Sequence, residues 1–131
     1  MLEVFNPPNL MQPFGAFSNA ALAPAGRLLF ISGQVATDPE GRIVGENDIA
    51  AQTRQALSNI DTLLRKAGAG FEDVVSVTVF LKDMQHLDAV HEVRREFFKP
   101  PYPASTLVQI VSLVDPRMLI EINAVAVVPV T

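Results

Sequence analysis

Glu121 is the residue whose type and neighbours point most directly to chemistry. It stands among Leu119, Ile120 and Ile122, and the two-residue period of a strand puts it on one face with Asn123. A carboxylate held against an apolar sheet has its charged form desolvated, which raises its pKa and suits it to pass protons near neutrality. The same pattern also fits a Glu121 that pairs with a basic residue of a neighbouring subunit. Ser105, Leu107 and Gln109 share one face of the preceding apolar stretch, so a hydroxyl and an amide line the pocket of Glu121 if the two strands pair. Ser32 and Gln34 flank Gly33 and can bring a hydroxyl and backbone N–H groups to a strand end where a carboxylate or carbonyl binds. The plainer alternative is that this tripeptide only ends a strand.

Other constellations carry less. His86 and His91 are five residues apart, a spacing that does not stack two ligands on one helix face, so no metal pair is expected. His91 falls beside an apolar stripe, and its default placement is partly exposed and near Asp88. Arg94, Arg95 and Lys99 alternate with Glu92 and Glu96 and read as a solvated helix face. No G-x-S-x-G, P-loop or G-x-G-x-x-G pattern occurs, so neither acyl-enzyme chemistry nor a nucleotide cofactor has support. Cysteine is absent, which excludes disulfides, thiolate nucleophiles and zinc–thiolate or iron–sulfur sites.

The elements that must position these residues follow from hydrophobic period. Ala16 to Ala23 fits a short strand, and Arg27 to Gln34 a stronger one that Gly33 bends or ends. From Asn47 to about Ala67 apolar residues recur at spacings of three and four, which predicts a helix capped by Asn47 and stopped at Gly68. Asp73 to Lys82 alternates as a strand, and His86 to about Phe98 fits a second helix blocked by Pro100. Ser105 to Val114 and Met118 to Val130 read as two strands joined through a turn at Asp115 and Pro116. Single helices between strands, with hairpins at both ends, predict an α+β fold with both helices on one face of the sheet. Both faces of the last strand are apolar, yet two helices cover only one, so the other face calls for a second copy of the chain.

The composition bounds the reading. At 131 residues, 49% hydrophobic and 18% charged, the chain fits one folded domain, residues 1–131, with material for a core. A net charge of −4 disfavours phosphate tracking and so nucleic-acid binding. The proline-bearing stretch from Met1 to Phe17 is not a secretory signal and no apolar run is long enough for a membrane span, so a soluble, cytoplasmic protein is expected.

The stretches PFGAFSNA (Pro13 to Ala20), LFISGQVATDPEGRIVG (Leu29 to Gly45), QTRQALSNIDTLLRKAGAGFEDVVSVTVFLKDM (Gln52 to Met84), VHEVRREFF (Val90 to Phe98), YPASTLVQI (Tyr102 to Ile110) and IEINAVAV (Ile120 to Val127) together resemble the RidA/YjgF, or L-PSP, family over nearly the whole length. The resemblance implies a chorismate-mutase-like α+β fold and a homotrimer whose sheets face a central barrel, with small-molecule clefts between subunits. It implies cofactor-independent hydrolysis of reactive enamines and imines, such as 2-aminoacrylate, to a 2-oxo acid and ammonia.

Position by position, Glu121 matches the family's acidic residue thought to position or activate water, and Ser32 with Gly33 matches the segment lining the cleft. Phe17 stands where the deaminases usually have tyrosine, and His91 where asparagine is common. Ser105, with Leu107 on its face, stands where the deaminases carry the arginine that clamps the substrate carboxylate. A serine does not supply that charge, so an altered substrate range is expected. Arg94, three residues after His91, is a candidate to restore it. A deaminase is the first reading, a non-catalytic metabolite-binding trimer the second, and the endoribonuclease of the L-PSP name the third.

Overall fold

The computed structural model describes residues 2–130. Its strands are β1 (Glu3–Phe5), β2 (Ala20–Leu22), β3 (Arg27–Gln34), β4 (Val74–Leu81), β5 (Ala104–Gln109) and β6 (Ile120–Val128). Helix α1 (Ile49–Lys66) follows β3, and α2 (Leu87–Phe97) follows β4. β1 and β2 form a small antiparallel pair, while the other four make a mixed sheet in the order β3-β6-β4-β5. The architecture is the expected α+β one, with both helices on one face.

Helix α1 begins where Asp48 accepts the backbone N–H of Ala51 at 3.1 Å. Asn47, the expected cap, instead takes a left-handed turn with φ of 62°, a conformation asparagine tolerates better than most residues. The stop falls at Gly68, whose φ of 82° suits the residue beyond a helix end. The buried side of α1, with Ala56, Leu57, Ile60 and Leu64, meets Val77, Val79 and Leu81 of β4 and Ile120, Ile122, Ala124 and Ala126 of β6. α2 closes the same core with Val90 and Val93.

The expected hairpin between the last two strands does not form. β5 runs parallel to β4, and β6 inserts between β3 and β4, antiparallel to both. β6 is apolar on both faces and takes the central slot, whereas β5 carries Ser105, Thr106 and Gln109 and lies at the edge, where unpaired backbone meets water. A buried side chain seats the connection. Gln52, fully inside α1, donates its amide to the carbonyl of Arg117 at 2.8 Å and accepts the N–H of Leu119 at 2.8 Å, fixing the chain just before β6.

At Ser32 and Gly33 the β3–β6 register shifts between Ile31 and Gln34, so the glycine bends the strand without ending it. The face away from the helices exposes Leu28 and Phe30 of β3, at 61% and 71% of their full areas, and Val108 of β5 at the opposite edge of the sheet. Among the described residues no helix is long and apolar enough to cross a membrane.

Candidate functional site

Helix α2 sends Val90 and Val93 into the core, so the 3.6-residue period turns His91 and Arg94 toward a different neighbour. That neighbour is the N-terminal arm. Ser18 docks it on the start of β5, donating its backbone N–H to the carbonyl of Pro103 at 2.8 Å and its hydroxyl to that of Tyr102 at 2.7 Å. Gly15 lies so close that an added Cβ would come within 2.6 Å of the His91 ring. Phe17 then stacks on that ring with centroids 6.4 Å apart, and Phe14 meets it edge-on at 5.8 Å.

A cavity of about 240 Å³ opens between arm, helix and strand. Phe14, Phe17, Met84, Leu87 and Leu107 form its apolar wall, and His91, Arg94 and Ser105 supply the polar groups. A larger cavity of about 400 Å³ between Leu2, Phe71, Phe97 and Pro100 has no buried polar side-chain atom without a partner among the described residues. Two residues that line the smaller cavity carry four such atoms, both ring nitrogens of His91 and Nε and Nη1 of Arg94.

The two residues share a desolvated corner. Arg94 is 1% exposed and donates through Nη2 to Ser105 Oγ at 3.0 Å and to the carbonyl of Ala16 at 3.4 Å. Burial first, and then the like charge of Arg95, pull its pKa down to about 10, which leaves it a cation at neutral pH. Burial, followed by repulsion from Arg94 and Arg95, also lowers the pKa of His91, with Asp88 opposing weakly. A neutral imidazole therefore sits beside a buried guanidinium. This corrects two expectations, since His91 is 6% exposed and Arg94 is no part of a solvated face. The helical period alone does not reveal the arm that covers them.

The remaining predicted residues lie elsewhere. In β4–β6 pairing Glu121 is opposite Phe80 and Asn123 opposite Thr78, on the face away from the helices. Gly33 lies against Glu121, because a Cβ there would strike the carboxylate. Ser32, Gly33 and Glu121 thus form one group. Ser105 and Leu107 are opposite the buried Val77 and Val79, on the helix side of the sheet, and join Phe17, His91 and Arg94 in a second. The pocket expected from β5–β6 pairing is absent within one chain, because β4 stands between those strands. Sequence reasoning missed Phe14, Met84 and Leu87 as cavity walls, although Phe14 and Phe17 flank the glycine that lets the arm approach. Among the described residues no group of three or more His, Asp or Glu is placed to hold a metal ion.

The model of the family described as endoribonuclease L-PSP matches residues 8–128. The chain belongs to this RidA/YjgF (L-PSP) family. A RutC family protein of Pyrococcus horikoshii is 42% identical, the match covering 96% of this chain and 98% of that one. A human 2-iminobutanoate/2-iminopropanoate deaminase is 35% identical, with 86% of this chain and 80% of the relative covered. Among solved structures, a Rid family protein of unknown function from Yersinia pestis is 34% identical and superposes with a TM-score of 0.88 over 96% of this chain and 98% of its own. The similarity spans arm, sheet and both helices of this RidA/YjgF member, so both residue groups lie within the shared fold.

Proposed function

We propose that this RidA/YjgF family protein is a cofactor-independent deaminase of small imines and enamines, and that it works as a homotrimer. The observation that carries the reading is the cavity itself, in which apolar walls surround His91, Arg94 and Ser105. The similarity to a human protein named as a 2-iminobutanoate/2-iminopropanoate deaminase supports the reaction class. The exposed Leu28 and Phe30 support assembly, since a sheet face this apolar calls for a cover. Assembly also answers the division of the site, because the cavity of one copy is completed by Ser32, Gly33 and Glu121 of the next.

The chemistry is hydrolysis of a C=N bond. An enamine first gains a proton at carbon to become the imine. Water then adds to the adjacent carbon, the one bonded to nitrogen, the nitrogen takes up protons, and the C–N bond breaks as the new hydroxyl gives up its proton, releasing ammonia and leaving a carbonyl. Glu121 holds the attacking water and receives its proton, a role that suits a half-buried carboxylate. Phe17 and Leu107 pack the substrate body, Ser32 and Gly33 border it, and His91 and Ser105 offer hydrogen bonds. With Ser105 where the deaminases carry arginine, the substrate range differs from theirs.

The separation of Glu121 from the cavity within one chain favours a second reading, a trimer that binds a small metabolite and turns nothing over. The endoribonuclease in the family's description fits less well, since a net charge of −4 does not attract a phosphate backbone. Ammonia release from freshly generated imines and enamines, with and without a carboxylate, tests the proposal. Glu121-dependent turnover is expected, and no turnover from an intact assembly overturns it in favour of binding alone.

A further inference from the structure

Arg94 is a buried cation without a counter-ion. Among the described residues no carboxylate forms an ion pair with it, and the only charge that bears on it is the repulsive one of Arg95. A guanidinium removed from water is costly unless it is paired, and buried polar groups with no partner are exceptions that call for an explanation. Nε and Nη1 are both unpartnered, and both nitrogens of His91, one helical turn away, are unpartnered as well. His91 and Arg94, which carry all four, both line one cavity.

We propose that Arg94 is the anion anchor of this cavity, binding the carboxylate of a small ligand with a short apolar body, with His91 as a second contact. Ser105 is the positioning residue. Its hydroxyl accepts from Nη2 at 3.0 Å, which orients the guanidinium and leaves the other two nitrogens free. The charge thus comes from helix α2, and the strand position beneath it serves as a rest. The cavity's 240 Å³ corresponds to about eight waters at ~30 Å³ each, room for a carboxylate with a chain of a few carbons. Phe14, Phe17 and Leu107 suit the apolar end, and a planar carboxylate matches the guanidinium's fan of donors.

This assignment rests on the reading of the cavity as the substrate site, and its test uses ligands with no C=N bond. Butanoate and the near-isosteric but uncharged butanamide are titrated calorimetrically into the assembled protein. Butanoate is expected to bind at least tenfold more tightly, Arg94→Gln to remove the preference, and Arg94→Lys to retain part of it. Ser105→Ala should reduce the preference severalfold, weakening butanoate more than butanamide, a split that a merely structural hydroxyl would not give. Butanoate should also shift the His91 ring resonances of the wild-type protein, a readout that does not depend on any variant folding.

Equal affinity for acid and amide in the wild-type protein overturns the assignment, as does a preference that survives in Arg94→Gln. Dissociation of the assembly by Arg94→Gln, with acid and amide bound equally, would make a second copy's carboxylate the counter-ion and also overturn it. Acid preference with no ammonia release from any imine keeps Arg94 as the anchor and removes the deaminase. Glu121-dependent ammonia release without acid preference does the reverse.

Discussion

The two faces of the four-stranded sheet are built from the same strands and carry opposite kinds of surface. On the helix side Val77, Val79, Leu81, Ile120 and Ile122 are sealed beneath α1 and α2, and the polar groups at the edge, His91 and Arg94, are buried with them. On the other side Leu28 and Phe30 are exposed, on the same face as Glu121. The difference teaches that alternation alone does not separate core from surface when both faces are apolar. The covered face holds the chain together, and the open face is the one that the proposed assembly covers.

Substitutions on the two sides should therefore fail in different ways. The largest effect is expected from Glu121→Ala, which should lower ammonia release by roughly 10²–10⁴-fold, the usual share of general acid–base catalysis, with melting temperature and assembled mass unchanged. Undiminished turnover would detach the open face from the chemistry. Next, Ile122→Ala on the covered face should cost about 2–5 kcal/mol of stability, the same at every protein concentration in denaturant titration. Phe30→Asp on the open face should instead reduce the mass in sedimentation to the 14.2 kDa of one chain. If both variants changed only stability, the contrast between the faces would be lost.

A smaller effect concerns pH. His91 has a folded-state pKa below its ordinary 6.5. Above that value the ring is neutral both folded and unfolded and contributes no pH dependence. As pH falls below it, the unfolded chain takes the proton first, so stability declines until the folded-state pKa is passed. His91→Gln should flatten that part of the stability curve between pH 7 and 5. An unchanged slope would mean that the ring is wetter than its packing against Phe14 and Phe17 implies. The smallest change is expected from Asp48→Ala, about 1 kcal/mol from the lost cap of α1, seen as a modest fall in melting temperature with activity retained.

Much of the fold was legible in the sequence because each helix has one apolar stripe and a terminus signal. Gly68 stops α1 where expected, and the helices lie close to their predicted spans. The fate of β6 was not legible. Two apolar runs joined through a proline turn resemble a hairpin locally, and only the slot between β3 and β4 explains why the strands part. In the candidate site, Ser105 and Leu107 do share a face, as do Glu121 and Asn123. Which of those faces meets the cavity was not legible. The burial of Arg94 escaped too, because its flanking glutamates gave it a solvated pattern and the arm that hides it is distant in sequence.

The sequence by itself determined the helices, the apolar strands, the family and the residue types available for chemistry, since each of these follows from local period or from a long run of matching residues. The tertiary structure alone decided how those residues are grouped. Inserting β6 between β3 and β4 put Glu121 with Gly33 on the open face, and docking the arm on β5 enclosed His91 and Arg94 with Ser105. Both events join segments far apart in the chain, where hydrogen bonding and burial, rather than spacing, select the partner.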